Sequence, residues 1–216
     1  MTQTTTIPTQ NASALAITIE DDAPPLVRLV GRRLHESVRV GHALDVLRRG
    51  VGTVALRSHD TPQAATIAFD GPSVIVTSGV HVESDATVVV DLNARFAAPQ
   101  EPEGDAVLAA DVLRALTPPL PPWRTAAERF WDAARPIAGI PDVLVVEVQD
   151  RNGAERAEFG VGVSTYLMAG PSDLLAGVFT GADDFLAALA AGLQVKGTLS
   201  QLSVMTAASW KVRFDV

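Results

Sequence analysis

Four prolines within five residues, Pro118-Pro-Leu-Pro-Pro122, constrain this chain more than any other feature. Proline fixes φ and lacks an amide hydrogen, so neither a helix nor a central strand runs through such a segment. The stretch reads as a stiff connector, and the residues on either side must build their own elements. Ahead of it, residues 1–22 begin polar and aperiodic and read as a disordered tail. After Pro24-Pro25, Leu26, Val30, Leu34 and Val38 recur every four residues and predict an amphipathic helix. Gly41 breaks it before a second piece that carries Ala43, Leu44 and Leu47. Strand-like runs at 54–58, 64–69, 73–77 and 86–92, with a tight turn at Asp70-Gly71, predict an antiparallel meander. A loop over 99–105 and a short helix over 106–116 complete this half.

Beyond the connector the pattern restarts. A helix over 125–135 and a turn over 136–141 precede strands at 143–148, 156–162 and 164–169. Asn152-Gly153 forms one hairpin and Gly160-Val-Gly162 a second. Shifted by 90 residues, Val54-Ala-Leu falls on Leu144-Val-Val, Asp60 on Asp150, Ala64 on Ala154 and Phe69 on Phe159. The helix, strand, turn, strand order therefore recurs on both sides. The expected fold class is α+β: an antiparallel sheet with helices packed on one side, in two related halves (23–117 and 123–216) of one compact body.

The last segment carries the sharpest local signals. Thr180 with Asp183 reads as a helix start and Gly192 as its stop, with Phe185, Leu186, Leu189 and Ala190 on one face. Thr198-Leu-Ser-Gln201 is a capping-box signature opening a segment in which Leu199, Leu202 and Met205 share a side. Residues 210–216 alternate at strand spacing and predict a final strand. Asp184-Phe185-Leu186, Gly192 and Val195-Lys196-Gly197, in that order, resemble the C-terminal end of sterol carrier protein type two domains. The resemblance covers roughly residues 125–216, and the first half reads as a degenerate copy. Thr198 stands where that family usually has an acid after the last glycine. The resemblance implies a last helix that closes an apolar tunnel against the sheet.

Reactive chemistry is hard to assemble from this sequence. There is no cysteine, hence neither disulfide nor thiolate metal site. The histidines His35, His42, His59 and His81 show no ligand spacing, and no phosphate-binding glycine motif follows a strand. No serine sits in a nucleophile elbow; Gly162-Val-Ser164 comes closest and reads as a turn. We expect no cofactor and no metal. A formal net charge of −8 argues against nucleic acid as a general partner. No apolar run reaches the length of a membrane span and no signal peptide opens the chain, so a soluble cytoplasmic protein is expected. One segment is basic: Arg28, Arg32, Arg33, Arg39, Arg48 and Arg49 crowd the helical region 26–49. They read either as a solvated face or as a docking surface, for an acidic protein partner, a second copy of the chain or phosphate head groups.

What remains is apolar. Tyr166 and Met168 share a strand face and Phe159 lies on the strand before. Phe179, Phe185, Leu186, Leu189, Leu193, Leu202, Met205 and Trp210 follow. These residues are either the core of the second half or the wall of a site for an apolar ligand such as a sterol, an acyl chain or a polyprenoid. In the second case the ligand lies between the 156–169 hairpin and the 182–191 helix. There the alanines at 187, 188, 190 and 191 leave room, and Phe159, Tyr166, Phe185 and Leu189 touch it. A non-catalytic interaction module is the alternative function. An enzyme acting on an apolar substrate is disfavoured, because no acid, base and nucleophile converge.

Overall fold

The computed structural model describes residues 15–80, 83–150 and 153–215. The expected tail residues 1–14, His81 and Asn152 lie outside them. Strand β1 (Ala16–Ile19) precedes α1 (Pro25–Arg39) and α2 (Leu44–Arg49), and β2 (Val51–Ser58), β3 (Ala64–Asp70), β4 (Ser73–Ser78), β5 (Ala86–Val90) and the short β6 (Glu103–Gly104) lead to α3 (Ala106–Leu116). After the connector come α4 (Trp123–Ala134), β7 (Val143–Asp150), β8 (Gly153–Gly160), β9 (Thr165–Gly170), α5 (Ser172–Thr180), α6 (Phe185–Ala190), β10 (Gln194–Lys196) and α7 (Leu199–Phe214). The α+β class holds, with helices on one face of each sheet.

Local chemistry explains most boundaries. Pro25 occupies the first turn of α1, where its missing N–H costs nothing. Gly41, with φ 72°, stops the helix in the left-handed region. Asp105 caps α3 by accepting from the Val107 and Leu108 amides. The capping box at α7 is complete, Thr198 and Gln201 each accepting from the other's backbone amide. One expected cap is displaced. Asp184, not Thr180, caps α6, while Thr180 ends α5, a helix that periodicity did not announce.

Three further expectations are corrected. Residues 16–19, within the expected tail, form β1, held in parallel register by β4. The C-terminal segment is helical to Phe214, because Met205, Ala208, Ser209 and Val212 keep a buried stripe at helical spacing that outweighs a short alternation. The sheets, finally, are mixed rather than antiparallel, with orders β1-β4-β3-β2-β5-β6 and β10-β9-β7-β8. Strands β2 and β5 run parallel, as do β7 and β9. Alternation tells which face a side chain takes but not which strand lies beside it.

The second sheet shows how the crossover arises. Gly160, Val161, Gly162 and Val163 do not close a hairpin; they carry the chain over the start of β7. Asp142 accepts there from the Val163 and Ser164 amides at 3.0 and 2.9 Å. A side chain at Gly160 would overlap the Asp142 carbonyl, and one at Gly162 the Asp142 carboxylate, so only glycine allows this approach. Strand β9 thus lands on the far side of β7.

The repeated plan is visible in the pairing. Order and direction match between β3-β2-β5-β6 followed by α3 and β8-β7-β9-β10 followed by α7. The constant sequence shift set β4 against β9, whereas pairing sets β5 there. Strands β1 and β4 have no counterpart in the second sheet among the described residues.

Each half has its own core. The first collects α1, α2 and α3 against Val54, Leu56, Ile67, Val74, Val88 and their neighbours. The second collects α4 to α7 against Leu144, Val146, Tyr166 and Met168. The division falls between Leu116 and Trp123, at the proline connector. Phe214, the last residue of α7, crosses it and packs on the first core.

Arginines tie the halves together. Arg213, 3% exposed, donates to the Gly181 and Ala182 carbonyls, both at 2.9 Å, and to Leu92 of the first half at 2.8 Å. Arg95 pairs with Asp183 through Nε at 2.6 Å and Nη2 at 2.5 Å, and with Asp173 at 2.9 Å. Arg95 and Phe96 both hold positive φ, which turns Phe96 into the first core while Arg95 reaches the second half. A side chain at Gly177 would overlap the Asp183 carboxylate and crowd the Arg95 guanidinium. Gly177→Ala should therefore separate this pair and lower stability by on the order of 1–3 kcal/mol in urea titrations. An unchanged midpoint would show that the pair carries no docking energy.

Candidate functional site

Where the helices of the two halves meet, they leave a cleft of about 360 Å³. Helix α1 contributes Arg32, Glu36 and Arg39, spaced to lie on one face. Helix α4 contributes Ala126, Arg129, Phe130 and Ala133 at the same spacing. The end of α5 supplies Phe179 and Thr180, and the end of α7 supplies Lys211, Val212 and then Asp215. The cleft adjoins a recess of about 370 Å³ that shares Arg32, Glu36, Arg39 and Asp215 and adds His35. A volume of this size lies at the lower end of the range for small-molecule sites.

The floor is apolar. Phe130 and Phe179 lie with ring centroids 5.2 Å apart, and both belong to the second core, as does Val212. The rim is charged, with four cations, Arg32, Arg39, Arg129 and Lys211, against the carboxylates of Glu36 and Asp215. Arg39 is committed to Glu36 through a two-point ion pair. Burial acts to raise the Glu36 carboxyl, but the Arg39 hydrogen bond and the charges of Arg39, Arg32 and Arg33 outweigh it and hold it below its ordinary value. Arg32 donates to the Asp215 and Thr180 carbonyls at 3.0 and 3.4 Å, and burial lowers its pKa. Burial likewise lowers His35, which favours the neutral ring. Among the described residues, Arg129 and Lys211 make no ion pair and no side-chain hydrogen bond, so they are the cations open to a ligand.

The arrangement suits binding better than bond-making. The one hydroxyl lining the cleft, on Thr180, donates to Ala176 at 2.8 Å and so stays with its own helix. Among the described residues, no group of three or more histidines and carboxylates could hold a metal. Two other grooves offer less. One of about 280 Å³ between residues 93–95 and α6 is bordered by Arg95, already spent on Asp183. Another, on the outer face of the second sheet over Val145 and Leu167, has Arg156 committed to Glu147 and Glu158.

The residues singled out from the sequence fall into three groups. Tyr166, Met168, Phe179, Phe185, Leu193 and Met205 are all at most 3% exposed inside the second core. Phe159, Leu189 and Leu202 lie partly buried at its margin. Leu186 and Trp210 face solvent, and the Trp210 indole donates to Asp184 at 3.2 Å. Of these eleven, Phe179 borders the cleft. Ala187, Ala188 and Ala191 line the groove against residues 93–95, and Ala188 also packs into the core. The cleft itself escaped the sequence reading. Arg32 and Arg39 were visible only as part of a basic run, and Phe130, Arg129, Lys211 and Val212 join them only through tertiary packing. The remainder of that run is dispersed: Arg33 donates to Leu116, Arg28 to Ala23, and Arg48 and Arg49 are exposed.

No family model matches this chain, and no curated protein and no solved structure matches it. Geometry therefore carries the functional argument.

Tyr166 is the single tyrosine of the chain, and its fully buried hydroxyl has no hydrogen-bond partner among the described residues. Burial pushes its pKa up to about 12, so the folded state favours the neutral ring. The associated stability is present below about pH 10, where unfolded tyrosine ionises, and is lost as pH climbs towards 12. Absorbance at 295 nm should show ionisation delayed until the fold opens. Titration near pH 10 with the fold intact would mean that the second core admits water.

Proposed function

We propose that the protein binds an amphipathic small molecule in the cleft between its halves, with the apolar body over Phe130, Phe179 and Val212 and an anionic head at the rim. One observation carries this reading: cations from three helices converge on an apolar floor in a cleft of ligand size. The resemblance of residues 184–197 to sterol carrier protein type two domains supports the same ligand class, an acyl chain or polyprenoid. The site differs from the tunnel that resemblance implies, since the inner residues of the second half pack on one another. No helix among the described residues is long and apolar enough to cross a membrane. The reading includes a cytoplasmic setting, with which a chain free of cysteine is compatible.

A second reading, an assembly module, draws on exposed apolar side chains at one end of the second half. Val161 and Val163 are 97% and 95% exposed, and Leu199 is 85% exposed. Gln201 ties this end of α7 to the crossover by donating to Ser164 and Thr165.

Fluorescent fatty-acid titration separates the two. Ala133 lines the cleft and is solvent-exposed, so Ala133→Trp should fill the site without disturbing either core. Wild type should bind at micromolar concentration, and the variant should bind at least tenfold more weakly, about 1.4 kcal/mol, with an unaltered melting temperature. Equal binding by both proteins would move the ligand elsewhere; no binding by wild type would favour the assembly module.

A further inference from the structure

We infer that the head group received by this cleft is a dianion, a phosphate monoester, in preference to a carboxylate. The inference rests on the cleft reading above and deepens it. The rim holds four cations and two carboxylates, a surplus of two positive charges. The surplus is localised. Arg39 pairs with Glu36, and Arg32 lies near the Asp215 carboxylate while donating to two backbone carbonyls, which leaves Arg129 on α4 and Lys211 on α7 without an ion pair among the described residues.

A ligand whose apolar body covers the floor removes water from both of these groups. A carboxylate then offsets one charge and leaves the second partly desolvated and unpaired, which is costly. A phosphate monoester, dianionic above its second ionisation near pH 6, offsets both. Its three peripheral oxygens can accept two parallel bonds from the planar Arg129 guanidinium while still facing the Lys211 ammonium. The ligand class is an alkyl or prenyl chain ending in phosphate.

Isothermal titration of the full chain at pH 8 tests this with four probes sharing one tail, each kept below micelle formation: dodecyl phosphate, its monoanionic methyl ester, dodecanoate and dodecanol. Dodecyl phosphate should bind at least about tenfold tighter than the methyl ester and dodecanoate. The exposed double variant Arg129→Gln, Lys211→Gln should erase that margin and leave dodecanol binding unchanged. Equal affinity for phosphate, methyl ester and dodecanoate would overturn the dianion and leave the cleft standing. A margin retained in the double variant would overturn the assignment to Arg129 and Lys211. Failure of all four probes would remove the cleft reading as well.

Discussion

A buried guanidinium organises this molecule. Arg213 spends its donors on three backbone carbonyls, two from the 181–182 turn of its own half and one from Leu92 of the other. Taking a guanidinium out of water costs several kcal/mol even after relaxation, and burial accordingly lowers its pKa. Hydrogen bonds from a charged donor return about 1.5–3 kcal/mol each, so three acceptors are needed to offset that cost. The requirement fixes local geometry. Gly181 sits at the left-handed end of α5 with φ 72°, and a side chain there would overlap the Arg213 backbone. Leu92 must lie where the chain leaves β5, which sets the first half against α7.

Contacts between the two separately cored halves include Arg213, Arg95 with Asp183, Arg32 across the rim and the Phe214 ring on the first core. Polar contacts specify direction better than apolar area does, and they leave room between the helices. The cleft is a product of this mode of docking. Phe130 and Phe179 lie beneath it, buried in the second core.

Much of the architecture was legible because it depends on short-range chemistry. The proline connector, α1, α3 with its Asp105 cap, and the Thr198 capping box are determined by residues within a few positions of one another. What escaped depends on distance in sequence. Strand neighbours follow from the Asp142 crossover, and its Gly160 and Gly162 looked like any hairpin pair. The alternation over 210–216 misled because burial at 205, 208 and 212 keeps the helix going to Phe214. At the site, methionine and aromatic residues of the second half drew attention as a ligand wall, although such stripes also build cores. From the basic run, Arg32 and Arg39 share one face of α1 and line the cleft. Their partners on α4 and α7 lie far along the chain.

The central claim is that two separately cored halves dock through Arg213 and that docking creates the cleft. Scanning calorimetry of Arg213→Gln, paired with fatty-acid titration, tests it most directly. The account predicts that the single unfolding transition of the wild type separates into two and that probe binding is lost, while circular dichroism retains both sheets and helices. One undivided transition with undiminished probe binding would contradict it.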